Sequence, residues 1–115
     1  MSLTLDHIQL AIPKDGEQAA RAFWTGLVGL VELEKPDALR GRGGCWFALG
    51  ALELHLGVET PFQPALKAHP GFQTSEIDAL AARLPHVTWD TALPDRRRFF
   101  TSDTFGNRLE FIQKT

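Results

Sequence analysis

A chain of 115 residues fits one domain, and a mix of 43% hydrophobic and 23% charged residues excludes a disordered or low-complexity segment. Twelve Lys and Arg against fourteen Asp and Glu give a formal charge of −2, which excludes the basic field on which nucleic-acid binding depends. The single cysteine, Cys45, excludes an intrachain disulfide, and with neither a leader-like start nor a run near ~18 apolar residues the expected chain is soluble and cytoplasmic.

From Leu5 to Ile12, LDHIQLAI puts Ile8, Leu10 and Ile12 on one parity and Leu5, His7, Gln9 and Ala11 on the other, which predicts a strand with one greasier face. Pro13 ends it. Asp15 and Gln18 read as a helix N-cap with its capping partner, and Ala19, Ala20, Phe23, Trp24 and Leu27 fall at helical spacing. A helix is therefore expected from about Gly16 to Thr25, closed by Gly26 and Gly29. Leu30 to Leu33 is a short strand, and Lys35 to Gly44, holding Pro36, Arg40, Arg42 and three glycines, is a loop. Cys45 to Leu49 and Ala51 to Leu56 are strands joined by a tight turn at Gly50. In the second of them Leu52, Leu54 and Leu56 point one way, Glu53 and His55 the other. Gly57 to Pro64 reads as a linker.

The order then recurs. Ala65 to Phe72 is a weak strand interrupted by Pro70, Ser75 to Leu84 a helix with Ile77, Leu80, Ala81 and Leu84 on one stripe, and His86 to Trp89 a short strand. A loop through Pro94 to Arg97 leads into Arg98 to Ser102, a turn over Asp103 to Asn107, and Arg108 to Ile112. The pattern is strand, helix, strand, strand, strand, written twice: residues 4–57 and 65–113 of one domain, 1–115.

Laid together, the halves match His7 with His69, 62 positions on, and His55 with Glu110, 55 positions on. Three imidazoles and a carboxylate form a mixed nitrogen and oxygen set suited to one divalent metal ion, iron, manganese, nickel, cobalt or zinc, that polarises a bound oxygen as a Lewis acid. Cys45, between apolar neighbours, is expected in the core, and His86, which has no repeat partner, is structural. In Trp46–Phe47 and Phe99–Phe100, alternation sends one ring to the core and one toward the cleft. Arg40, Arg42 and Arg96 to Arg98 are either a solvated face or a grip on an anionic substrate.

These residues resemble the vicinal oxygen chelate superfamily, which includes glyoxalase I, extradiol dioxygenases, fosfomycin-resistance thiol transferases and bleomycin-resistance proteins. LDHIQLAI is similar to its first strand with a ligand histidine, ALELHL to its fourth, KAHPGFQTSEIDALAARL to its fifth strand and helix, and FFTSDTFGNRLEFI to its final hairpin with the ligand glutamate, so the likeness covers nearly the whole chain. It implies an α+β fold of two βαβββ modules forming a U-shaped mixed sheet around the metal. His7, His69 and Glu110 match the two-histidine, one-carboxylate set of the dioxygenases and thiol transferases, and His55 stands where glyoxalases commonly place a glutamate. Glu110 is then the only carboxylate among the four metal-site residues and the expected catalytic group. Arg42, Phe47, Arg98, Phe100 and Arg108 are expected to bind substrate.

The function so implied is a divalent-metal-dependent enzyme acting on a small oxygen-chelating substrate, by lyase or isomerase, dioxygenase or thiol-transfer chemistry. The alternative is a metal-free small-molecule or antibiotic-binding protein of the bleomycin-resistance kind. Neither half is large enough to bury its own sheet, so a homodimer is expected. Its site is closed within one chain or joins His7 and His55 of one to His69 and Glu110 of the other. Neither nucleic acid nor a membrane is an expected partner.

Overall fold

The computed structural model describes residues 1–115 and divides them into two units, Met1–Gln63 and Pro64–Thr115. In the first, β1 (His7–Ile12) is followed by helix α1 (Glu17–Arg21), which continues as a π-helical stretch over Ala22–Val28. Strand β2 (Glu32–Leu33), a 3-10 turn over Asp37–Arg42, and strands β3 (Cys45–Leu49) and β4 (Leu52–Val58) complete it. The second unit repeats the order with β5 (Gly71–Thr74), α2 (Ile77–Arg83), β6 (Thr88–Asp90), β7 (Arg98–Ser102) and β8 (Arg108–Gln113). The two four-stranded sheets run β1-β4-β3-β2 and β5-β8-β7-β6. In each, the first and last strands of the unit pair parallel and the others antiparallel. The fold is α+β, and the βαβββ pattern occurs twice.

Each sheet has one packed and one open face. In the first unit Ile12, Cys45, Phe47, Leu54 and Leu56 are buried, together with Ala20, Phe23 and Trp24 of the helix. In the second, Phe72, Phe99, Leu109 and Phe111 are buried, with Ile77, Leu80 and Leu84 from the α2 region. Burial pushes the Cys45 thiol up to about 11. A thiol reagent near neutral pH is therefore expected to leave Cys45 untouched in the native protein and to titrate one thiol per chain in denaturant.

Several elements differ from the sequence reading, each for a local reason. Asp15 does not cap α1: it adopts φ 63°, the cap position is Gly16, and no side-chain cap bond forms. The turn ahead of the helix is closed by Gly16 N–H donating to the Pro13 carbonyl at 3.1 Å, and its first turn by Ala20 N–H donating to the Gly16 carbonyl at 3.0 Å. Nor does Gly26 end the helix. The π turns carry it to Val28 with Phe23 and Trp24 both buried, and Gly29, at φ 94°, closes it as its N–H and that of Leu30 donate to the Trp24 carbonyl. The expected loop of residues 35–44 holds a 3-10 turn. Helix α2 starts two residues later than expected, at Ile77, whose N–H donates to Gln113 Oε1 at 3.2 Å, and ends one residue earlier because Leu84, held extended ahead of Pro85, leaves the helix. The weak strand expected from Ala65 becomes a strand only at Gly71, so His69 lies just before β5. Pro70 has no N–H to give the ladder, though its carbonyl accepts from Glu110 N–H at 3.1 Å.

Two local features fix strand ends near the open faces. Gly44, at φ 79°, lies so close to β4 that an added Cβ would be 2.0 Å from the Leu56 carbonyl oxygen, and its N–H donates to Glu17 Oε2 at 2.7 Å. In the β7–β8 turn the buried Asp103 carboxylate accepts from Phe105 N–H, Asn107 N–H and the Asn107 amide, each at 2.9 Å. Asn107 Oδ1 in turn accepts from Ala65 N–H at 3.0 Å. Burial raises the Asp103 carboxyl despite these bonds.

Candidate functional site

Strand register puts the two units in correspondence residue by residue. His55 pairs with Gln9 on β1 and Trp46 on β3, and Glu110 pairs with Gly71 on β5 and Phe100 on β7. His7 and His69 each stand two residues before those first partners, so His7 relates to His55 as His69 relates to Glu110. By the same register Trp46 matches Phe100, Glu53 matches Arg108, and Gly44 matches Arg98. All of these positions belong to the open faces, because alternate residues share a face.

In the second unit the matched residues form a charged network. His69 Nε2 lies 2.9 Å from Glu110 Oε1, and Arg98 donates from Nη1 to Glu110 Oε2 at 2.9 Å. Arg98 Nη2 is 3.3 Å from Asp90 Oδ2. His69 Nδ1 is 3.1 Å from the Lys67 carbonyl. Carboxylate oxygens only accept, so Nε2 faces an acceptor, while Nδ1 lies between the Lys67 carbonyl and Arg108 Nη1, 3.3 Å away. The Nε2 to Oε1 approach is thus a place for one bridging proton, or for a metal ion in its stead. Ligands adjacent on an octahedral ion with bonds of about 2.1 Å lie about 3 Å apart, and the observed 2.9 Å fits that edge.

Burial works to raise the Glu110 carboxyl, but the hydrogen bonds from Arg98 and His69 outweigh it and hold the group below the ordinary carboxylate value of 4.5. A carboxyl depressed in the folded state stabilises the fold above its unfolded value and withdraws that contribution as pH falls through the folded one. Metal-free protein is therefore expected to lose stability on acidification below pH 4.5, with a shallower loss in Glu110→Gln, as read by urea midpoints.

The first unit is built differently. The Asp6 carboxylate accepts from His7 Nδ1 at 2.8 Å, which leaves Nε2 of that ring as its free lone pair. His55 Nε2 donates to Glu53 Oε1 at 2.9 Å. The His55 ring is sandwiched between His7, at 4.2 Å and 18°, and Trp46, at 3.7 Å and 1°. An imidazole lone pair lies in its ring plane, so two rings stacked this closely parallel cannot both direct a lone pair at one ion. No three His, Cys, Asp or Glu side chains gather around a point in this structure.

The residues expected to touch substrate divide. Phe100 and Arg108 are on the open face of the second unit, with the Arg108 guanidinium 4.1 Å from the Phe100 ring centroid. Phe47 is 0% exposed on the packed face, because it shares the parity of Cys45 and Leu49; Trp46 is the aromatic that reaches the open face. Arg98 is occupied by two carboxylates rather than free for a ligand. Arg42 ends the 3-10 turn in solvent, ahead of the sheet. Sequence reading passed over Glu53, Asp6 and Asp90. The first two stand two residues and one residue from a flagged histidine, whereas Asp90 is found only through the β6–β7 register.

Comparison with solved structures places this architecture. A glyoxalase family protein from Bacillus anthracis is 44% identical, with a TM-score of 0.94 over 100% of this chain and 98% of that one. The chain belongs to the vicinal oxygen chelate superfamily. More distant superfamily structures share the fold alone. A point mutant of the fosfomycin resistance protein FosX from Listeria monocytogenes, complexed with Mn(II) and 1S,2S-dihydroxypropylphosphonic acid, is 18% identical with a TM-score of 0.80 over 100% of this chain and 95% of that one. A glyoxalase/dioxygenase from Nostoc punctiforme is 20% identical with a TM-score of 0.76 over 97% and 91%. No protein-family model and no curated protein matches the chain. No helix of this superfamily member is long and apolar enough to cross a membrane.

Proposed function

We propose that the chain is a divalent-metal-dependent enzyme acting on a small substrate that binds through oxygen, with His7, His69 and Glu110 as the protein ligands. The observation that carries this reading is the His69 Nε2 to Glu110 Oε1 approach of 2.9 Å between groups whose remaining polar atoms are already engaged. His69 is oriented by the Lys67 carbonyl, Glu110 by Arg98, and His7 by Asp6. Such outer partners fix the tautomer and rotamer of ligands. His55, committed to Glu53 and stacked on His7, stands outside the set and walls the site with Trp46.

When bound, the ion supplies Lewis-acid polarisation of a substrate oxygen. The chain's own contributions are orientation and charge: Arg98 keeps Glu110 ionised, and Phe100 and Trp46 offer apolar surface. The set is completed by a homodimer, with His7 from one copy and His69 and Glu110 from the other. The homodimer is supported by β1 and β5 each lying at a sheet edge and by Leu3 and Leu5, 88% and 57% exposed, just ahead of β1.

Calorimetric titration of chelator-treated protein with Mn(II), Fe(II), Co(II), Ni(II) and Zn(II) tests the reading. One ion per chain is expected for at least one metal, and no binding by any of the five would overturn it. The Glu110 carboxylate has protein partners on both oxygens as it stands. That completeness supports a second reading, a metal-free binding protein, which predicts small-molecule binding indifferent to chelator.

A further inference from the structure

We propose that the open face of the second unit carries an oxyanion subsite centred on Arg108, so that the substrate is a small molecule bearing a phosphonate, phosphate or carboxylate group. The inference rests on the placement of the metal edge at His69 and Glu110, and it adds the substrate's class.

Two arginines share this face, and their surroundings differ. Arg98 is 15% exposed and bound to Glu110 at 2.9 Å and Asp90 at 3.3 Å, so its charge is already matched. Arg108 has no carboxylate partner. Its Nη1 donates to the Lys67 carbonyl at 3.3 Å, a long bond, and lies 3.3 Å from His69 Nδ1. The guanidinium rests over Phe100, which orients the plane without neutralising it. An uncompensated fork of this kind binds a planar or tetrahedral oxyanion through two N–H donors.

The space beside it suits a small ligand. A cavity of about 350 Å³ is lined by Arg108, Phe100, Ser102, Thr88, His86 and Leu66 among others. Ser102 faces Arg108 across the β7–β8 ladder and Thr88 faces Phe100 across β6–β7, so two hydroxyl-bearing residues line the same cavity as the guanidinium. Leu66, 73% exposed, gives the cavity an apolar side. Arg108 and Glu110 are alternate residues of one strand, about 7 Å apart along it. A chain of a few carbons can therefore carry both the anion and the oxygens offered to the metal edge. The cavity beside Cys45 lacks this combination: there Arg21 is paired with Glu32, and Arg40 with Glu34 and Asp37.

The test is calorimetric or NMR titration of the full chain with methylphosphonate, inorganic phosphate, acetate and neutral dimethyl methylphosphonate, with and without Mn(II). The wild type is expected to bind at least one anion and not the neutral ester. Arg108→Met is expected to weaken that binding by about tenfold or more, and Arg108→Lys to retain part of it, with unchanged thermal midpoints. Preference for methylphosphonate over acetate identifies a tetrahedral group, and the reverse a carboxylate. Equal anion binding by wild type and Arg108→Met, or equal binding of the ester and its anion, overturns the subsite. Mn(II) binding is read separately: if it fails while Arg108-dependent anion binding persists, the metal reading falls and the anion subsite stands.

Discussion

Glu110→Gln is expected to lower Mn(II) affinity by about a hundredfold or more while leaving the fold intact. Losing an orienting group outside a metal's ligand set costs about 10- to 100-fold, and loss of an anionic ligand costs at least as much. The amide keeps the shape of the carboxylate and one acceptor oxygen, but not the charge that Arg98 and His69 face at 2.9 Å each. Arg98→Met is expected to have the smaller effect, about 10- to 100-fold, because it frees the Glu110 rotamer without removing the ligand. Calorimetric titration of the three proteins measures both. Wild-type affinity in Glu110→Gln would remove the carboxylate from the ligand set, and a larger loss in Arg98→Met than in Glu110→Gln would invert the assigned roles.

Phe99→Ala is expected to destabilise the protein by about 3–5 kcal/mol, the usual result of emptying a fully enclosed phenylalanine site. Phe99 is 0% exposed, with Trp89 centred 5.1 Å and Phe111 5.5 Å from its ring. Those neighbours belong to β6 and β8, so the cavity opens in the middle of the sheet. Small domains have only about 5–15 kcal/mol of total stability, so the variant is left close to its threshold. Phe100→Ala, one residue along and on the open face, is expected to cost much less stability. Its loss falls on the cavity around Arg108 instead. Urea unfolding of the pair tests the facing of β7; equal losses would mean that both rings pack in the core.

The alternation of apolar and polar residues made the strands legible. Cys45 to Leu49 and Arg98 to Ser102 have the bounds that their sequence predicts, and the repeat offsets place His7, His55, His69 and Glu110 where the register of the two parallel pairs puts them. What escaped was chemistry that depends on a shift in period or on a partner far along the chain. The π turns after Arg21 change the helical repeat, so counting from Ala19 misplaces the end. Phe47, expected at the substrate, instead keeps the packed parity of Cys45 and is fully buried. Arg98 reads as a free cation in a basic run until a three-residue strand, β6, brings Asp90 beside it. The His7–His55 stack is a matter of side-chain rotamers, and no spacing in the sequence encodes it.

Gly44 occupies the position that Arg98 fills in the second unit, and this limits how the two halves can diverge. With φ at 79° and the Leu56 carbonyl where a Cβ would go, the first unit has no room for an arginine there. A mutation of His55 to glutamate would create a carboxylate with no guanidinium to meet it and would set that carboxylate against Glu53, the present partner of His55 at 2.9 Å. Rebuilding the second unit's guanidinium–carboxylate pair in the first would therefore take a backbone change at Gly44 as well as a change of side chain at 55.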